Sequence, residues 1–144
     1  MNKAVSGFTL IELVVVIIIL GILGAVAFPR FASMNVEARK TAVNALGGSV
    51  RDATARARSQ ALAQGSPATI TMEGQTITLL NGYPDEASID NALQDYSGFQ
   101  FKTNPAPARF RRQDAQVSPN ACMVTYADAV AGSPPVITVI TTGC

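Results

Sequence analysis

Histidine and tryptophan are absent from the 144-residue chain, cysteine occurs twice, and charged residues make up 15% of it. Without histidine there is no Ser-His triad, no histidine metal cluster and no imidazole general base; two cysteines cannot close a four-thiolate zinc site. An average soluble domain carries about 25% charged residues, so the chain is charge-poor as well. Its net charge of +1 argues against nucleic acid as an obligatory partner. No catalytic, cofactor or metal site is therefore expected, and the composition points to a binding or structural protein. Asp85, Glu86 and Asp90 are acidic neighbours, but they fall at a predicted turn and helix start, where negative charge suits the helix dipole.

What the chain has in excess is apolar residues, 48% of the total, and they concentrate near one end. Between residues 13 and 28 no side chain is charged or forms hydrogen bonds, and extending back to Phe8 adds only Thr9 and Glu12. About 20 helical residues span a hydrocarbon core of about 30 Å, so this block predicts one membrane-crossing helix. A secretory signal would have a shorter apolar region ending in a small-residue cleavage site. Residues 29–144 hold no second such stretch. A carboxylate in a membrane helix costs roughly 2.5 to 3.5 kcal/mol at the bilayer centre, so Glu12 needs a partner or must reach the headgroups.

The block follows a short leader containing Lys3 and opens Gly7-Phe8-Thr9-Leu10-Ile11-Glu12-Leu13. These residues resemble the class III signal of type IV pilins and the related pseudopilins. The resemblance implies a prepilin peptidase that cuts between Gly7 and Phe8 and N-methylates Phe8. It also implies that Glu12 captures the terminal amine of an adjacent subunit, setting the register of a growing homopolymer. Pro29 lacks an N–H and disfavours helical geometry before it, which predicts a kink or interruption there. In filaments of the family the segment from Gly21 to Pro29 unwinds, which would lengthen the subunit by roughly 16 Å.

Beyond Pro29, Val43, Leu46, Val50, Ala53, Ala57 and Ala61 recur at helical spacing and predict an amphipathic helix that stops near Gln64, before Gly65-Ser66-Pro67. Gly47-Gly48 predicts a second bend. Residues 8–64 would then make roughly 85 Å of nearly continuous helix. Alternation over residues 68–72 and 75–79 around Glu73-Gly74 reads as a β-hairpin, and Asn81-Gly82-Tyr83-Pro84 as a turn. Ser88 is expected to cap a short helix, with further strands at 98–103, 108–113, 123–127 and 136–141. Arg109, Arg111 and Arg112 around Phe110 read as a solvated sheet edge rather than a nucleic-acid contact.

The expected domains are a leader at 1–7, a membrane and polymerisation helix at 8–28, its amphipathic continuation at 29–64, and a head at 65–144. The expected fold is α+β, a long helix packed on an antiparallel sheet, as in type IV pilins. A Cys122–Cys144 disulfide would resemble the C-terminal disulfide-bounded region of those proteins, and it requires an oxidising compartment, so the head is placed outside the cytoplasm. Two free thiols are the alternative. Gly82-Tyr83-Pro84 and the spacing from Cys122-x-Val124-x-Tyr126 to Cys144 resemble major pilins of the mannose-sensitive haemagglutinin (MSHA) class. The resemblance implies a pilus subunit drawn from the inner membrane by an assembly machinery into a surface filament for adhesion or motility. A type II secretion pseudopilin and a tethered binding module that never polymerises are the alternatives.

Overall fold

A computed structural model of the chain describes residues 7–114 and 120–144; of the leader expected at 1–7, all but Gly7 lies outside the described residues. Helix α1 runs Leu10–Ala63 and passes through Gly21, Gly24 and Pro29 without interruption. Packing divides the chain into two compact units that meet between Val36 and Glu37.

In the first unit α1 buries nothing: Leu10, Ile11, Ile19, Leu20, Leu23, Val26 and Phe28 are all more than half exposed. Lacking an N–H, Pro29 leaves the carbonyl of Ala25 without its helical donor, a local loss that α1 accommodates.

In the second unit the spacing rule holds residue by residue. Val43, Leu46, Val50, Ala53, Ala57 and Ala61 are all buried, joined by Gly47 and Thr54. Gly65 and Ser66 both take positive φ, and their N–H groups donate to the carbonyls of Leu62 and Ala61. This pair of bonds is a Schellman motif, and it ends the helix where the Gly-Ser-Pro signal predicted.

Two antiparallel sheets pack with α1, where a single one was expected. The first has the order β1 (Thr69–Met72), β2 (Gln75–Leu80), β3 (Tyr83–Pro84); the second has β4 (Phe99–Lys102), β5 (Ala108–Arg112), β6 (Met123–Ala127), β7 (Val136–Ile140). Met72 pairs Gln75 across Glu73-Gly74, both at positive φ, which is the two-residue hairpin that the alternation implied. Asn81-Gly82 makes a second such turn, but Tyr83 and Pro84 are not part of it: they pair with Leu80 and Leu79 as a strand. Pro84 is tolerated there because β3 is an edge.

Ser88 does not cap a helix by its side chain. Ile89–Ala92 is a single 3-10 turn, and the Ser88 hydroxyl instead accepts from the Thr78 N–H and donates towards the Thr78 carbonyl and Asp85. Tyr126 joins the two sheets: its hydroxyl donates to the Pro84 carbonyl at 2.6 Å, and burial pushes the phenol pKa well up. Phe101 and Tyr96 stack on the buried Phe110 at 4.7 and 5.6 Å, completing the core.

Gly47 and Gly48 do not break α1. A Cβ on Gly47 would collide with the Val139 side chain of β7, so the glycine is there to let helix and sheet approach; nothing lies within 4 Å of a Cβ on Gly48. Helix propensity favours Ala over Gly by about 1 kcal/mol, whereas overpacking a core costs about 1 to 3 kcal/mol. Gly48→Ala should therefore raise stability by about 1 kcal/mol and Gly47→Ala should lower it, opposite signs that one pair of urea titrations on the full chain in detergent resolves.

Candidate functional site

Gly7, Phe8 and Thr9 lie ahead of α1 in non-helical, exposed chain, with Phe8 77% exposed. A bond in such a segment is open to a peptidase, whereas a helical one would first have to unfold.

Helix α1 is opened by a reciprocal pair of contacts. The Thr9 N–H and Oγ donate to Glu12 Oε2 at 3.0 and 2.8 Å, and the Glu12 N–H donates to Thr9 Oγ at 3.3 Å. This is a capping box, in which two of the helix's unsatisfied donors are met by the side chains of the cap and of the third helical residue. The same spacing, Thr-x-x-Glu before an apolar run, is a capping signal that the expectation of an amine or headgroup partner for Glu12 leaves out. The box engages one carboxylate oxygen. Among the described residues Oε1 has no partner, and Glu12 lies in no ion pair.

Behind this end stands a helix long and apolar enough to cross a membrane, with none of its most apolar stretch buried. An apolar surface that long exceeds what soluble monomers expose.

Residues 2–28 match the family model described as the prokaryotic N-terminal methylation motif. The chain carries that motif. It contains Gly7, Phe8, Glu12, Gly21 and Gly24, while Pro29 falls one residue beyond it. A stretch of 56 residues is 51% identical to the type IV narrow pilus major component PilA5 of Thermus thermophilus, covering 39% of this chain and 48% of that protein. The chain thus spans about half the length of the curated relative it matches. No solved structure matches it. The architecture, one long apolar N-terminal helix with antiparallel sheets, is α+β and like that of type IV pilins.

The second predicted constellation is real: Cys122 and Cys144 form a disulfide. It anchors β6 to the end of the described chain, where the Cys122 N–H donates to the Thr142 carbonyl and Arg39 of α1 donates to the Cys144 carbonyl at 3.0 Å. Asp114 ties in beside it. Arg112 holds both its oxygens at 2.7 and 2.8 Å, Arg39 approaches at 3.4 Å, and the Arg112 bonds draw the carboxyl down to about 2. A carboxyl lowered on folding contributes stability above its unfolded pKa and loses it as pH falls towards about 2. The pair is half exposed, so Asp114→Asn should cost no more than about 1 kcal/mol at pH 7 and clearly less at pH 2, checked by melts at both values.

The arginine group does not form a sheet edge as expected. β5 is an interior strand between β4 and β6, and alternation splits its arginines: Arg112 lies over Phe99 and pairs with Asp114, while Arg109 and Arg111 face the other way. Strand neighbours are set by long-range pairing, which local alternation does not reveal.

Proposed function

We propose that the chain is the structural subunit of a type IV pilus, made as a membrane-held precursor and polymerised through its N-terminal helix into a surface filament. The observation that carries this is a methylation motif on the exposed apolar first half of α1, headed by a carboxylate with one oxygen unpartnered among the described residues. In this reading a prepilin peptidase cuts Gly7–Phe8 and methylates the Phe8 amine. The amine of an incoming or neighbouring copy then binds Glu12, the charge pairing removes the cost of a carboxylate in lipid, and the apolar helices cover one another. Gly21 to Pro29 is the segment with fewest reasons to stay helical, having two glycines and a missing donor, and it is where the helix would extend during assembly. The inner membrane, an assembly machinery and further copies of the chain are its partners, and its role is mechanical, without catalysis.

The similarity to a pilus major component favours a pilin over a pseudopilin, and the cleavage motif with Glu12 favours polymerisation over a solitary tethered module. The MSHA-class reading rests on the Gly82-Tyr83-Pro84 strand entry and the Cys122–Cys144 spacing. Mass spectrometry of filaments sheared from cells tests the whole proposal. The expected subunit begins at N-methylated Phe8 and is two hydrogens lighter than its reduced form. Recovery of full-length protein in the inner membrane alone would overturn it.

A further inference from the structure

Arg109 and Arg111 share the outer face of the four-stranded sheet with Lys102, which stands directly opposite Arg109 in the β4–β5 register. Like charges directly opposite one another destabilise a strand pair, and here a third cation lies two residues along the same face. Among the described residues no carboxylate pairs with any of the three, and residues 1–6 and 115–119 contain no Asp or Glu that could do so. A chain with only 15% charged residues has thus gathered three cations on one face with no carboxylate partner among the described residues. Local conflict of this kind is the mark of a site kept for function.

The three side chains line a cleft of about 410 Å³, together with the amides of Gln100, Asn104 and Asn120. Cations with fork or point geometry beside amide donors are the donor set for a tetrahedral oxyanion. The aromatic rings of these strands pack into the core on the opposite face, leaving no stacking platform for unpaired bases. The cavity is the size of a pocket for one small ligand. We propose that this cleft binds a phosphate or sulfate group, either as the free ion or as a monoester carried on a sugar. Arg109 and Arg111 supply the paired N–H donors, Lys102 the third charge, and the amides meet the ester or sugar hydroxyls. The site does not depend on the filament reading, since it lies wholly within the folded unit from Glu37 onwards.

The test is calorimetric titration of the full chain in non-ionic detergent with inorganic phosphate, sodium sulfate and glucose 6-phosphate, ionic strength being held constant with sodium chloride. Saturable binding is expected, weakened about tenfold or more in Arg109→Gln/Arg111→Gln and unchanged in Arg56→Gln, an exposed helix arginine outside the cleft. Tighter binding of the sugar ester identifies a glycan-borne group, and equal binding identifies the free ion; both support the site. Melting separates a binding role from a structural one: the double variant should be as stable as the wild type or more so, because it relieves repulsion, and phosphate should raise the melting temperature of the wild type alone. Absence of saturable binding, an equal loss in Arg56→Gln, or a double variant that melts lower would each overturn the proposal.

Discussion

Glu12→Gln is expected to leave the chain in the membrane with its helix still capped, and to cut the yield of surface filaments about tenfold or more. Glutamine serves as well as glutamate at the third position of a capping box, so the bonds with Thr9 survive. What is lost is the charge that would pair with a neighbour's amine. A charge-assisted hydrogen bond contributes about 1.5 to 3 kcal/mol, and about 1.4 kcal/mol already changes an equilibrium tenfold. Thr9→Val makes the reverse separation. It removes the cap, costing the helix about 1 kcal/mol, while keeping the carboxylate, and its filament yield should stay near that of the wild type. Glu12→Val loses both functions and should resemble the glutamine variant. Normal filaments from Glu12→Gln, with loss in Thr9→Val, would mean that Glu12 matters only as a cap.

The two substitutions separate a contact that the structure shows, the cap between Thr9 and Glu12, from the proposed pairing of Glu12 with a neighbour's amine. A division between local and distant partners runs through the rest of the chain. Features set within a few residues were legible: the six-residue apolar stripe from Val43 to Ala61, the Gly65 stop and the Glu73-Gly74 hairpin all occur as their local chemistry requires. Features set by distant pairing were not. Two sheets instead of one, the strand at Tyr83–Pro84 and the interior place of β5 depend on which segments meet, and the Ser88 hydroxyl serves Thr78 because folding brings them together. Gly47 read as a bend because its missing side chain is a local weakness; its use, the close approach of Val139, is a property of the assembled core. Of the candidate residues, Phe8 and Glu12 stand in a contiguous motif and so can be picked out from the sequence, whereas Lys102 and Arg109 become neighbours only through the β4–β5 register.

Cys122→Ser/Cys144→Ser should lower the stability of the head by about 3.4 kcal/mol on the chain-entropy model, the largest effect expected of any change outside the N-terminal helix. The bridge spans a separation of 22 residues and joins β6 to the last turn of the described chain. Without it, Thr142 and the Cys144 carbonyl would hold their places only through the Cys122 N–H bond and the Arg39 contact. A unit of this size shifts its melting temperature by about 4 to 8 °C per kcal/mol, so a fall on the order of 15 °C is expected. Near-UV circular dichroism of the full chain in detergent, with and without reductant, measures it. The reduced wild type should melt close to the double variant, because both lack the same constraint on the unfolded chain. Arg39→Ala, in contrast, removes a half-exposed contact to a strand end that the bridge still holds, and should cost about 1 kcal/mol. A double variant melting within a degree or two of the oxidised protein would mean that the packing of Val124, Tyr126 and Phe110 alone secures the β6–β7 end of the sheet, and that the bridge contributes nothing to equilibrium stability.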